Sequence, residues 1–385
     1  MPIPSEYNNR EQTYLKHQIL KGYLGQWGHK LGSIARKRVG VKLWYVDCFA
    51  GPWRSQDGSL EDTSIYIGLS ELRKAAESWR GRGFGVQVGA IFVEKRRETY
   101  RQLAEFVGAS GGDVECHAMH GEFGDRVPSI LELMGDDPAF VFVDPTGFKG
   151  ADMRHIARLA DARMRDVLVN VMFNDINRWK NDERDFLRKQ MCDFFGIEDG
   201  GLPKNLSEVE LLRLYRKKLK EHAKLRYAAD LAVPHPTHKR TWFRLVVGGN
   251  NSTVLEVFRA VESGVVGSVA AVARTGAVRR PAEDAGQHSL FSIEEEAPEV
   301  DLRYAKMRQE ASEQAVPFII ALLENSAGRW RDLWPRVLEE LHLPLSVLTK
   351  IVVGAAKKNE LRIEPAPTRS QISPGAAVRA GPGEQ

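Results

Sequence analysis

Three carboxylates close apolar runs, and each is followed by small or turn-forming residues. Asp47 ends VKLWYVD and leads into Cys48, Phe49, Ala50 and Gly51; Glu94 ends VQVGAIFVE; Asp144 ends AFVFVD and is followed by Pro145, Thr146 and Gly147. A fourth run, VLVNVMF, buries the amide of Asn170 among apolar neighbours, where an unpaired polar group is costly. In an open α/β sheet, ligands bind beyond the carboxyl ends of the strands. Acids gathered there can hold the hydroxyls or amines of a ligand. Ala50 and Gly51 let a ligand approach the main chain. An acid ending the second strand, here Glu94, stands where a nucleotide ribose is held. Asp47 and Glu94 lie 47 residues apart, far more than the ~20 of a compact dinucleotide fingerprint. A long loop and a helix must fill that interval, and the polar loop 52–64 has the character of a substrate loop or lid. Asp144 and Pro145 aim a carboxylate and a carbonyl into the same crevice, the proline marking the end of its strand. Asn170 is either a structural hydrogen bond or a further member of the crevice.

These residues need a sheet to bring them together. Apolar runs over 41–47, 86–94, 113–120, 139–144 and 166–173 alternate with helical patterns over 63–80, 96–107, 123–134 and 151–162. That alternation predicts a doubly wound parallel α/β sheet, with strands apolar on both faces. A helix precedes it, with Leu15, Ile19, Tyr23 and Trp27 at helical spacing. A charged helical stretch runs to Arg226. Strands over 225–233 and 241–249 then complete seven as a hairpin-like edge pair, and a helix over 253–263 follows. The domain reading is a Rossmann-like unit over 1–270, a linker over 271–305 rich in Pro, Gly and Ser, a small winged helix-turn-helix over 306–366, and a disordered tail over 367–385.

Composition narrows the function. The chain has 385 residues, 43% hydrophobic and 28% charged, with a net charge of +4, too even to imply nucleic-acid binding by itself. It has no 18-residue apolar run and no apolar signal core at its start, so a cytoplasmic setting without a membrane is expected. Cys48, Cys116 and Cys192 are widely spaced, which argues for core thiols rather than a metal site or disulfide framework. His235 and His238 lack an evident third ligand, so no metal is expected. The run 216–226 holds seven Lys, Arg or His residues in eleven; it is a solvated helix face or a phosphate contact. The helix over 345–358 ends in Lys357 and Lys358 and would serve either a DNA groove or a protein contact.

The order of KHQILKGYLGQW, YVDCFAGPW, IFVEK, FVFVDPTGFKG and VLVNVMFNDINRW resembles class I S-adenosylmethionine-dependent methyltransferases, and more narrowly the three-Cys-motif partner proteins (TcmP). The resemblance implies that Asp47, Phe49, Ala50 and Gly51 line the methionine part of the cofactor. It implies that Glu94 holds the ribose and that Gly121 and Glu122 approach the adenine. Trp53 stands where a glycine is common and would narrow or cover the pocket. Asp144 and Pro145 match the start of the Asp-Pro-Pro-aromatic motif of amino-methyltransferases, in which side chain and carbonyl accept from the target amine; with Asn170 they form the expected catalytic set. Thr146 and Gly147 depart from that motif, and Phe148 comes one position late for base stacking. The implied activity is methyl transfer to an amino group of DNA or RNA. The alternatives are a catalytically degenerate scaffold for a three-Cys-motif, radical-SAM-like partner carrying a metal cluster, or a DNA-binding regulator.

Overall fold

The computed structural model describes residues 4, 7, 10–51, 61–109, 114–182, 184–234, 241–266, 298–323, 327–368 and 371–381. Helix α1 (Glu11–Gly32) buries Leu15, Ile19, Leu20, Tyr23, Leu24 and Trp27 along one face, the stripe that helical spacing dictates. Strand β1 (Val41–Asp47) follows. Helix α2 (Ser64–Arg80) starts where Thr63 Oγ accepts from the Tyr66 amide at 3.2 Å, a threonine N-cap. Then come β2 (Val86–Glu94), α3 (Arg97–Ala109), β3 (Val114–His120), α4 (Phe123–Met134), β4 (Ala139–Val143), α5 (Met153–Ala160) and β5 (Arg165–Val171). Every residue of β4 is buried, as a central strand covered on both faces requires. Strand β5 stops at Val171, two residues short of the expected end, because Phe173 opens helix α6 (Phe173–Trp179). Helices α7 (Asp185–Phe195) and α8 (Glu208–Ala223) lead to β6 (Tyr227–Pro234), β7 (Thr241–Gly249) and α9 (Thr253–Val265).

The seven strands lie in the order β3-β2-β1-β4-β5-β7-β6. Strands β1 to β5 pair in parallel, whereas β7 runs antiparallel to both β5 and β6. The sheet is therefore mixed at one edge, where β6 and β7 form the hairpin-like pair expected there. It has a Rossmann-like, doubly wound architecture with an antiparallel edge pair. Strand β1 sits between β2 and β4, so the direction of winding reverses there and a crevice opens above it. One core lies on the face covered by α1, α2 and α9, the other on the face covered by α4, α5, α7 and α8.

The C-terminal part corrects two expectations. Helix α10 (Pro298–Leu323) already includes residues 298–305, assigned above to a linker; the rest of that linker, 271–297, lies outside the described residues. Strand β8 (Gly328–Arg329), α11 (Trp330–Glu340), α12 (Leu345–Lys357) and β9 (Leu361–Glu364) follow. Residues 377–380, expected to be disordered tail, form β10 (Ala377–Ala380), which pairs antiparallel with β8 and β9. The physical reason is that Ala376 and Val378 are fully buried, closing a small sheet that would otherwise expose its apolar face.

This part is also not set apart from the sheet, since its buried residues belong to the α1–α2–α9 core. A polar clasp fastens it. Arg259 of α9, 1% exposed, donates to the carbonyls of Leu338 and Asp230 and to Glu262 Oε2, each at 2.8 Å. His342 Nδ1 lies 2.7 Å from Glu262 Oε1. Burial opposes charge on Glu262, but His342 and Arg259 overcome it and hold the carboxyl at about 2. The basic run joins the clasp: Arg216 donates to the Glu339 carbonyl at 2.6 Å and pairs with Glu340, and Lys220 pairs with Glu339 at 2.7 Å. Lys217 and Lys218 pair locally with Glu221. No helix among the described residues is long and apolar enough to cross a membrane.

Candidate functional site

The turn after β1 is tied to both neighbouring strands. The Cys48 amide donates to the Phe142 carbonyl and the Ala50 amide to the Val93 carbonyl, both at 2.9 Å. Asp47 holds the turn from below. It is fully buried and accepts from Ser64 Oγ at 2.6 Å, the Phe49 amide at 3.2 Å and Tyr45 OH at 3.3 Å. Burial pushes its carboxyl up to about 6, against the pull of the Ser64 and Phe49 hydrogen bonds. Asp47 borders neither cavity described below. It shapes the turn and anchors it to the start of α2, while Phe49, Ala50 and Gly51 form the wall.

Two cavities meet at that wall. The smaller, about 100 Å³, is bordered by Phe49, Gly51, Glu94, Gly121 and Glu122, which brings together the residues expected for the ribose and adenine. Glu94 is buried, and its Oε1 accepts from the Arg96 amide at 2.5 Å. Gly51 packs so closely that a Cβ there would sit 2.0 Å from Glu94 Oε2 and 2.7 Å from Thr99. Gly121, with φ at +140°, donates its amide to the Glu94 carbonyl at 3.1 Å; that backbone angle favours glycine. Glu122 is exposed just before α4 and makes no cap hydrogen bond. Phe49 and Phe123 face each other at 5.6 Å.

The larger cavity, about 310 Å³, shares Phe49, Gly51, Asp144 and Thr146 with the first and adds Pro145, Asn170 and Met172. Asp144 is held from two sides. Lys16 Nζ of α1 lies 2.5 Å from Oδ2, and Asn170 Nδ2 donates to Oδ1 at 2.6 Å. Asn170 is 2% exposed and its Oδ1 has no hydrogen-bond partner among the described residues. Asn170 is thus both a structural hydrogen bond and a cavity residue. The far wall is the start of α1, contributing Thr13, Lys16 and His17, with Arg10 at its N-cap. Arg10 pairs with Asp62 at 2.8 Å. His17 is buried beside Tyr7 OH at 3.1 Å, and burial holds its imidazole well below the usual range, so it is neutral.

The sequence reading missed the α1 residues. The available signal was a cation, Lys16, embedded beside the apolar stripe of a helix that must cover the sheet. Other residues of the sequence motifs lie elsewhere. Phe148 is buried in the core and cannot stack on a ligand in the crevice. Trp179 is flanked by Arg178 and Arg184 at 4.6 and 5.0 Å and lines neither cavity. Trp53, most of loop 52–64, His235 and His238 lie outside the described residues.

No family model matches the chain, and no curated protein matches it. Solved structures do align with it. The O-methyltransferase TomG from Streptomyces achromogenes, in complex with SAM, is 16% identical over 58% of this chain and 79% of its own, with a TM-score of 0.28. Loganic acid methyltransferase with SAH is 10% identical over 74% and 92%, with a TM-score of 0.33. A putative tRNA (m1A22) methyltransferase, Sp1610 of Streptococcus pneumoniae, is 15% identical over 71% and 95%, with a TM-score of 0.24. These values are low, and the fold assignment rests on the strand order and pairing.

Proposed function

We propose that the chain is an S-adenosylmethionine-dependent methyltransferase that modifies an amino group of a nucleic-acid base. One observation carries the reading: Phe49 to Gly51, Glu94, Asp144 and Asn170, contributed by four strand ends, border one continuous crevice at the point where the sheet reverses its winding. The residues fit the cofactor. Gly51 leaves a cradle that a single Cβ would fill, and Glu94 keeps Oε2 beside it. The smaller cavity alone falls well below the ~300 Å³ of ordinary ligand sites, and the two together reach that range. Glu94 would hold the ribose hydroxyls, with Gly121 and Glu122 toward the adenine and Phe49 to Gly51 along the methionine.

When bound, the cofactor supplies a sulfonium methyl, whose carbon–sulfur bond breaks with its electron pair left on sulfur as the acceptor nitrogen's lone pair bonds the carbon. The chain's own residues do the positioning. Asp144 and the Pro145 carbonyl accept the N–H groups of the target amine and orient its lone pair, and the Asp144 carboxylate is placed to take the proton released. Holding the reactants in line supplies most of the acceleration available to such a reaction. The C-terminal helices and small antiparallel sheet, in the order α10, β8, α11, α12, β9, β10, are read as a winged-helix module that presents the substrate. Calorimetry with S-adenosylhomocysteine tests the reading: we expect saturable binding with one site per chain, weakened by Glu94→Ala. Absence of binding at millimolar ligand would overturn it.

A further inference from the structure

The place that the proposed methyl transfer gives to a target amine is already filled by an amine of the chain itself, and this inference rests on that transfer. Lys16 Nζ lies 2.5 Å from Asp144 Oδ2, while Asn170 Nδ2 holds the other oxygen at 2.6 Å. Lys16 and Asp144 both border the larger cavity, and Asp144, with Thr146, borders the smaller one as well. The ammonium therefore stands in the acceptor cavity, against the carboxylate that this cavity shares with the proposed cofactor cavity. Solvent reaches the pair, since the side chains of Lys16 and Asp144 are 15% and 18% exposed.

Helix α1 keeps Lys16 in that position. It is fastened before Lys16 by its N-cap Arg10 to Asp62 at 2.8 Å, and after it by Tyr23 OH to Asp166 and Lys30 to Glu256, both at 2.8 Å. Lys30, Lys42 and Lys224 also pair with carboxylates, but they border neither cavity. Lys95 borders the smaller cavity, yet it is exposed and stands beside Glu94 rather than against Asp144.

We infer that Lys16 is a modification site in cis: with S-adenosylmethionine bound and no nucleic acid in the crevice, the chain methylates its own Lys16. Nζ first gives one proton to solvent, which frees its lone pair. That lone pair bonds the sulfonium methyl carbon, and the carbon–sulfur bond breaks with its electron pair left on sulfur. The products are S-adenosylhomocysteine and a secondary ammonium, which keeps two N–H donors and so keeps its contact with Asp144. An amine already held at the reacting centre needs no second binding event, which favours this lysine over any free in solution. The rate should rise with pH, because the ammonium has no lone pair to donate. A nucleic-acid amine must displace Lys16 to reach Asp144, so the same contact makes Lys16 a competitor of the substrate.

The test uses the full chain, digested before and after incubation with S-adenosylmethionine, with any methyl located by mass spectrometry. The peptide carrying Lys16 should gain the mass of one methyl group, at the same rate per chain whatever the chain concentration, while Lys95 and Lys217 stay unmodified. Asp144→Asn should slow the gain about tenfold or more, and Lys16→Arg should remove it. A second readout needs no cofactor. Under acetic anhydride, Lys16 should label several-fold more slowly than Lys217, whose side chain is 69% exposed, and Asp144→Asn should raise Lys16 labelling toward that of Lys217. An unmodified Lys16, a rate per chain that grows with chain concentration, a methyl on Lys95 in its place, or labelling of Lys16 as fast as that of Lys217 would each overturn the inference. Calorimetry with S-adenosylhomocysteine on the same preparation separates the two readings. Binding without a methyl on Lys16 removes this inference alone. Failure to bind removes the methyltransferase reading and this inference with it.

Discussion

Two clusters of buried polar groups differ in how completely they are paired. In the clasp between α9 and the C-terminal helices, Arg259 donates to two carbonyls and a carboxylate, and both oxygens of Glu262 are bonded. In the crevice, Asp144 is held on both oxygens, yet Asn170 beside it, a residue bordering the cavity, keeps a buried acceptor without a partner among the described residues. Asn170 is as deeply buried as Arg259 and Glu262, so the difference between them is not exposure. A saturated network fixes one geometry and leaves nothing for a ligand to complete. An unfinished one, on a rigid frame, is where a ligand gains most. The same chemical groups therefore serve as structure in one region and as a candidate site in the other.

The largest expected effect breaks the saturated side. Arg259→Met keeps an apolar stem but leaves the Glu262 carboxylate and the Leu338 and Asp230 carbonyls without their donor. Removing one partner of a buried pair costs about 3–5 kcal/mol. Urea denaturation should show that loss. A change below about 1 kcal/mol would mean that the clasp is no tighter than a surface contact. The acid limb comes next. Glu262 is held at about 2, below the usual carboxylate range, so its contribution is full above about pH 4.5 and is lost as pH falls toward 2. Between those limits the wild-type chain should lose roughly 3 kcal/mol more stability than Glu262→Gln. Parallel stability curves for the two proteins would contradict the assigned ionisation.

Much of the sheet was legible because its strands are near-continuous apolar runs that end at charged or turn-forming residues. The crevice acids Glu94 and Asp144 were legible for the same reason, as was the ambivalence of Asn170. The direction of β7 was not, because a buried strand has the same composition whichever way it runs. The tie from Asp47 to Ser64, 17 residues on, was not legible either, because an acid after a strand looks alike whatever its partner. Strand β10 was hidden in a Gly- and Pro-rich segment whose one buried face rests on only Ala376 and Val378. The contact between Lys16 and Asp144 spans 128 residues and that between Arg259 and Leu338 spans 79. No local pattern encodes such pairs.

On the unfinished side, Gly51→Ala probes the cradle. The added methyl would meet the Glu94 carboxylate and Thr99, both packed and unable to retreat far. We expect S-adenosylhomocysteine affinity to fall about 10- to 100-fold, in the range of overpacking costs, with a smaller change in thermal midpoint. Unchanged affinity would mean that the cofactor does not lie against this turn.

The smallest effects separate clasp from surface within one helix. Lys220 and Lys218 lie two residues apart on α8, and each pairs with a glutamate at under 3 Å. Lys220 meets Glu339, which also accepts from the Ala228 amide at 2.9 Å, joining α8, β6 and α11. Lys218 meets Glu221 on its own helix, in solvent. Lys220 is itself about one-third exposed, so screening trims its pairing, and Lys220→Ala should lose about 1 kcal/mol. Lys218→Ala should leave the urea midpoint where it was. Equal losses would show that pairing distance alone sets the worth of these charges. A loss confined to Lys220→Ala would show that what matters is whether the partner carboxylate also holds another element in place.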